Sequence, residues 1–283
     1  MNDAFPRTDL SFAIEIARAS GRIVMERYER LERISHKSPK DVVTEADHES
    51  EEALIRAIRA RFPDDGILAE ESGQHLARHT GAPTDGHGRT WILDPLDGTI
   101  NYANGIPYFA VSVGLVVDGR PSVGVVLDPV RDELFAATAT GPATLDGRTI
   151  EASTKDKLSD CVVALGLSGR RVTSRARSTR KAVRVTRSMG SSALSLAYVA
   201  NGRFDAFAQQ SGQSSWDVAA AGLVAERAGA CLTDFAGGAW FDIARPGGRW
   251  GVVAAPRRLH AALLGLVGSD VEIGAVAATS ESA

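Results

Sequence analysis

The chain has 283 residues, 44% of them hydrophobic and 24% charged, with a net charge of −3 and two cysteines. That balance describes a globular chain long enough for one large domain or two closely packed ones. It excludes attraction to nucleic acid or anionic membrane by an overall positive field, and a disulfide-stapled framework.

No run approaches the roughly 18 apolar residues of a membrane span. The opening "MNDAFPRTDL" lacks the basic end and apolar run of a signal peptide, so a cytoplasmic protein is expected. Leu10, Ile14, Ala17, Gly21, Val24 and Tyr28 mark one face of a first helix. "KSPKD", from Lys37 to Asp41, reads as a polar loop. "TEADHESEEALIRAIRARF" follows as a second helix. Thr44 and Asp47 have capping-box spacing, Glu49, Glu51 and Glu52 suit the positive first turn, and Pro63 ends it.

"GILAEES" is a short strand leaving the core at Glu70 and Glu71, and residues 72 to 90 read as a long surface loop. "TWILD" is the next strand. "FAVSVGLVVDGRPSVGVVLDPVRDELFAAT" predicts a meander turning at "DGRP". Near residue 150 the pattern changes to strands alternating with helices: "CVVALGL", "TSRARSTRKAV", "ALSLAYVANG", "FDAFAQ", "DVAAAGLVAERAG", "ACLTDF", "GRWGVVAAP" and "RRLHAALLGLVG". The expected organisation is an α+β half over 1–150 and an α/β half over 151–283. The tail "SDVEIGAVAATSESA" reads as frayed. Cys161 and Cys231 lie in apolar stretches and read as free buried thiols.

Acidic residues recur at element ends: Asp47 in a first helical turn, Glu70 and Glu71 at a strand exit, Asp94 and Asp97 at another, and Asp217 opening the helix after "SSW". In sheet proteins such ends converge where ligands bind. Each has a bland reading alone, as a surface turn, a helix cap or a solvated loop. Grouped, they would repel strongly, and a hard cation such as Mg²⁺ with its oxygen ligands removes that repulsion. Within "DPLDGT", Pro95 turns the chain and can aim the Leu96 carbonyl at a cation. Gly98 and Thr99 open a helical turn whose free N–H groups suit an anion. No Cys, Ser or His is placed as a covalent nucleophile, and the six histidines show no zinc-ligand spacing.

"DVVTEAD", "ILAEES", "WILDPLDGTINY" and "SSWDVAAAGLVAERAGACLTDFAGG" together resemble the inositol monophosphatase family, in its order and spacing, from about residue 8 to about residue 265. The remainder is most similar to the bacterial inositol-1-monophosphatase branch, notably "IPYFAVSVGLV" and "ALSLAYVANGRFDAF". The resemblance implies an α/β fold, an αβαβα layered sandwich of the inositol monophosphatase and fructose bisphosphatase type. It also implies a lithium-sensitive homodimer that hydrolyses small phosphate monoesters with Mg²⁺. By matching position, Glu70, Asp94 and the Leu96 carbonyl are expected to hold one metal, and Asp94, Asp97 and Asp217 a second. A third, weaker metal would use Glu70 and water. Asp47 and Thr99 are expected to position the attacking water, the Gly98 and Thr99 amides to take phosphate oxygens, and Lys37 to help close a lid.

The resemblance places substrate hydroxyls near "RSMGSSAL", at Gly190, Ser191 and Ser192, with Ser as a simple helix cap the equal alternative. Inositol-preferring members carry Glu seven residues before the metal-binding Asp; this chain has Gln210. An amide can hydrogen-bond a hydroxyl without charge, which leaves room for histidinol phosphate or a sugar phosphate. The stretch from Gly169 to Arg187 carries eight Lys/Arg and no acid. It reads as a solvated helix face, or as a surface attracting anionic substrate, a partner or RNA, with Arg187 nearest the substrate segment. Contact with nucleic acid is not the expectation. A non-catalytic regulatory binding protein is the rival reading.

Overall fold

The computed structural model describes residues 8–30, 34–38, 41–75, 88–167, 173–243 and 250–268. Helix α1 (Asp9–Arg27) starts where the Thr8 hydroxyl accepts from the Ser11 amide, and buries Phe12, Ile16, Ala17, Gly21 and Val24 along one stripe. The expected loop at "KSPKD" is instead a hairpin, β1 (Ile34–Ser38) with β2 (Asp41–Thr44). The β-branched Val42 and Val43 just beyond the turn explain the pairing. The Lys37 side chain, residues 39 and 40 and the tail from 269 lie outside the described residues. Helix α2 (Glu45–Arg61) follows with its capping box formed by Thr44 and Asp47.

Eight strands form the first sheet. They are β3 (Gly66–Ala69), β4 (Gly73–His75), β5 (Arg89–Asp97), β6 (Ala110–Val117), β7 (Arg120–Asp128), β8 (Glu133–Thr138), β9 (Thr144–Leu145) and β10 (Arg148–Thr149). Their order is β10-β9-β8-β7-β6-β5-β3-β4, with β3 parallel to β5 and the other pairs antiparallel. A short helix α3 (Thr99–Ala103) follows β5. The near end of β5 is fixed by Trp91, whose indole donates to Asp65 (2.8 Å), and by Arg89, which reaches Asp65 and Asp9. The sequence pattern missed β4, β9 and β10, which are two or three residues long.

The second sheet orders β12 (Val185–Arg187), β11 (Val162–Gly166), β13 (Ala206–Gln213), β15 (Trp250–Pro256) and β14 (Ala230–Thr233). It is mixed: β11 is parallel to β12 and β13, while β15 runs against both neighbours. Helices α4 (Thr173–Ala182), α5 (Ser192–Ala200), α6 (Ser215–Arg227) and α7 (Arg257–Val267) complete the described chain.

The layers follow from which helices carry apolar residues all round. Every residue of α5 from Ala193 to Ala200 is buried, as is α6 from Val218 to Ala225. Such helices belong between two sheets. Both pack there, α6 across β6 and β7, α5 against β7 and β13. The outer helices are amphipathic, α1 and α2 on the far face of the first sheet, α7 and α4 beyond the second. The result is the αβαβα sandwich. Among the described residues no helix is long and apolar enough to cross a membrane.

One glycine above all, Gly124, sets how near α6 can come. A β-carbon on Gly124 would lie 2.5 Å from the Ala220 carbonyl oxygen, and one on Gly114 only 3.4 Å from the Ala220 amide. Backbone therefore rests on backbone, and α6 is held at a depth that no larger residue permits. Gly124→Ala should destabilise the protein by about 1–3 kcal/mol through overpacking, read as a lower urea midpoint with unchanged slope. An unaltered midpoint would show that α6 can retreat freely.

Candidate metal centre

Three helix starts converge on the end of β5. The first belongs to α2, where Asp47 accepts from the Thr44 amide (2.8 Å) and hydroxyl (2.6 Å) through Oδ2. Its other oxygen faces the Thr99 hydroxyl at 3.1 Å. The second belongs to α6, where Ser214 and Asp217 form the same kind of capping box. One device thus serves twice: a carboxylate at the third helical position is fixed by a backbone amide through one oxygen.

The third helix start, that of α5, holds Asp97. The Ser192 amide (3.2 Å) and the Ala193 amide (2.7 Å) donate to it, as does the Ser191 hydroxyl, which also accepts from the Leu194 amide. These four contacts cross 94 to 96 residues of sequence or cap the helix locally. Asp94 accepts from the Leu96 amide at 3.0 Å, within the turn that Pro95 allows. The sequence suggested a bend at a strand exit. The strand in fact continues to Asp97, and the two aspartates flank a register shift between β5 and β6. That irregularity points both carboxylates to one place.

Asp94, Asp97 and Asp217 each bring a carboxylate oxygen within 4.8 Å of the other two. Asp94 and Asp97 are buried, 1% and 7% exposed. Burial, then the charges of Glu70, Asp97 and Asp217, push the Asp94 carboxyl well above the usual range. Burial also raises Asp97, opposed by its hydrogen bonds from Ser191 and the α5 amides. Asp47 is pushed up to about 6, first by burial, with Glu71 adding to it and Thr44 and Thr99 opposing. Several buried carboxylates that cannot all ionise, with oxygen donors only, fit a hard divalent cation.

An open cavity of about 640 Å³ adjoins the cluster. Glu70, Asp97, Gly98, Thr99 and Asp217 line one part, and Gly190, Ser191, Ser192 and Arg187 another. The Leu96 carbonyl accepts the Thr99 hydroxyl at 3.0 Å, so that hydroxyl stands between Leu96 and Asp47 with one proton for two acceptors. Gly98 has φ +99°, and a β-carbon there would crowd Phe109 at 3.3 Å, which reserves the position for glycine.

Two readings of the substrate segment change. The Ser191 hydroxyl is taken up by Asp97 and the α5 cap, so it orders the acidic cluster. Gln210 is not among the residues lining the cavity. Alternation along β13 puts Gln209 and Ser211 there, and the Gln210 Oε1 is buried without a partner. Arg187 does line the cavity, joined by Arg180 from α4.

The sequence pattern assigned Glu51 to the first helical turn, whereas it lies beyond that turn and faces inward. It is buried and accepts from the Glu71 amide (2.8 Å) and the Ser72 amide (2.9 Å), fixing the turn that carries Glu70. Its position on the stripe of Asp47, Leu54 and Ile58 is the signal that marks it as inward. Asn101 is a second such residue, donating to the carbonyls of Tyr108 and Met189, both at 2.7 Å, and so joining α3 to the segment before α5.

The sequence profile described as the inositol monophosphatase family matches residues 6–272. A protein named Nus factor SuhB from Pseudomonas aeruginosa is 37% identical over 238 residues, spanning 81% of this chain and 86% of its own. Inositol monophosphatase 3 of Solanum lycopersicum is 34% identical over 243 residues, spanning 83% and 88%. Among solved structures, the extragenic suppressor protein suhB of Bartonella henselae superposes with a TM-score of 0.82 at 31% identity, over 92% of this chain and 98% of that one. An IMPase of Thermotoga maritima gives 0.80 at 31% identity, over 91% and 96%.

A raised carboxyl pKa means that the folded chain binds more protons than the unfolded one between the two values. For Asp47 that window runs from 3.8 to about 6, and metal-free stability from this group falls as pH rises through it. Asp94 and Asp97 are raised in the same direction, so protons and a cation compete for them. Mg²⁺ at about 100 times its Kd should add about 2.7 kcal/mol near pH 7.5, a rise of several degrees in Tm, and progressively less towards pH 5. A magnesium effect that is absent, or equal at both pH values, would contradict a carboxylate metal site.

Proposed function

The chain belongs to the inositol monophosphatase family, and on that premise we propose that it is a Mg²⁺-dependent phosphatase releasing phosphate from a small polyol monoester by direct attack of water. The observation that carries this reading is the convergence of buried Asp94 and Asp97 with half-buried Asp217 beside a cavity. Inositol monophosphate or a similar polyol phosphate is the substrate class; histidinol phosphate and sugar phosphates use the same chemistry.

Asp94, Asp97 and Asp217, with Glu70 and the Leu96 carbonyl, are the residues that would hold two or three Mg²⁺ ions. Bound there, the metal supplies a more acidic water and neutralises charge on the phosphoryl group and leaving oxygen. The chain does the rest. Thr99 Oγ1 lies between Leu96 O and Asp47 Oδ1, where it can orient a water and pass its proton towards Asp47. With a pKa near 6, Asp47 is mostly ionised at neutral pH and able to accept that proton. Gly98 and Thr99, at the cavity wall, are placed to offer amides to phosphate oxygens. Neutral side chains (Gln209 and Ser192, whose hydroxyl donates to Gln209 Oε1 at 3.2 Å) face the alcohol. A homodimer and inhibition by lithium belong to the same proposal.

Relatives named Nus factors give a second reading, a binding role in which the basic α4 rather than the acidic cluster acts. The full set of carboxylates favours catalysis. Asp94→Asn should lower Mg²⁺-dependent phosphate release by roughly a thousandfold or more while circular dichroism stays unchanged. Near-normal turnover by that variant would remove the metal-site assignment.

A further inference from the structure

The hydrogen bonds that fix Asp97 come from the start of α5: the Ser191 hydroxyl and the Ser192 and Ala193 amides. Its carboxylate therefore goes wherever the start of α5 goes. The chain enters α5 from β12 through residues 188–191, which belong to no helix or strand, with Gly190 at φ +82°. Such a link does not set its own direction, so the aim of Asp97 comes from what the link rests on.

Two residues from the corner between α3 and β6 hold it. The Asn101 side chain commits both amide protons to carbonyls, those of Met189 and Tyr108, at 2.7 Å each. Gly190 lies directly on that amide, since a β-carbon there would stand 2.9 Å from Nδ2. Tyr108 bears on the same link a second time. Ser195 donates its one hydroxyl proton to the Ser191 carbonyl (2.5 Å), so in the 3.2 Å contact between Tyr108 and Ser195 the tyrosine is the donor. The Tyr108 backbone is thus tied to Met189 through Asn101, and its hydroxyl to Ser191 through Ser195. Asn101, Tyr108 and Ser195 are all buried, where such hydrogen bonds hold more firmly than in water.

Resting on the metal-site reading, we propose that Asn101 and Tyr108 are positioning residues for the cation: they grip the link on both sides of Gly190 and, through Ser191, set the aim of Asp97. Mg²⁺ demands close to ideal geometry of its oxygen ligands, so a carboxylate displaced by about 0.5 Å binds it less well. Cation affinity then depends on a tyrosine hydroxyl that reaches Asp97 only by way of Ser195 and Ser191. The Tyr108 ring meets Tyr198 edge-on, centroids 5.7 Å apart, and Tyr108→Phe keeps that packing while removing the hydroxyl.

The test titrates Mg²⁺ alone, calorimetrically and at fixed pH, into wild type, Tyr108→Phe, Asn101→Ala, Ser191→Ala and the Asn101→Ala/Ser191→Ala double variant. Urea midpoints are measured without metal. Tyr108→Phe should weaken binding by about threefold, the net worth of one buried hydrogen bond, and Asn101→Ala by about tenfold. Because Asn101 acts through Ser191, the double variant should bind hardly more weakly than the weaker single one. In phosphate release, the Mg²⁺ concentration at half-maximal rate should rise in the same proportion, with kcat at saturating Mg²⁺ within about twofold of wild type. A merely structural role would lower the urea midpoint and leave the Mg²⁺ affinity of the folded protein alone. That outcome, or fully additive losses in the double variant, would overturn the proposal. Should Asn101→Ala fail to fold, unchanged affinity in Tyr108→Phe would still overturn it. Wild type that binds no Mg²⁺ would instead remove the metal-site reading, and this one with it.

Discussion

Mutual repulsion among buried carboxylates governs this molecule. Asp94, Asp97 and Asp217 lie within 4.8 Å of one another through single oxygens, in a site where burial already opposes charge. Left to itself such a cluster would open or stay protonated. The fold prevents opening by fixing each carboxylate to backbone amides: Asp97 to the start of α5, Asp217 to that of α6, Asp94 to the turn at Leu96. Asp47 repeats the arrangement on α2. Each of these helix ends contributes its positive pole, which lowers the electrostatic cost without removing it.

Those helix starts can meet only because of the packing beneath them. The α6 backbone lies against Gly114 and Gly124, and the Ser112 hydroxyl donates to the Trp216 carbonyl at 3.1 Å, one residue before Asp217. Asp217 is therefore registered to the β6 partner of Asp94, since Ser112 pairs with Asp94. Behind β5, Glu51 holds the turn of Glu70, and Ser20 with Ser50 bridges α1 and α2 at 2.5 Å. Apolar burial positions the helices, and polar contacts at their ends set the aim of the site.

Much of this was legible in the sequence because it is local. Capping-box spacing placed Asp47 in a first turn, and "DPLDGT" followed by "WDVAAAG" identified the acidic set. The meander and the helices after residue 150 followed from hydrophobic periodicity. What escaped depends on tertiary neighbours. The hairpin of β1 and β2 was hidden by the polar "KSPKD" at its turn. The two aspartates share one strand because of a register shift that no periodicity reveals. Gln210 was selected by counting from Asp217, whereas the pleat of β13 presents Gln209 and Ser211. Arg180 lay within a charge run whose ordinary reading is a solvated face, and only the approach of α4 to the cavity distinguishes it.

Within one cavity the acidic residues gather at the end of β5, while neutral and basic residues of β11, β12, β13 and α4 line the rest. The central claim is that burial and mutual repulsion raise the proton affinity of Asp94 and Asp97, so that protons and a divalent cation compete for the cluster. Titrating Mg²⁺ calorimetrically near pH 6, in buffers of differing ionisation enthalpy, counts the protons released per cation bound. The account predicts net release at that pH, declining towards pH 8 and abolished together with binding in Asp97→Asn. Magnesium binding without proton release at pH 6, or undiminished in that variant, would contradict it.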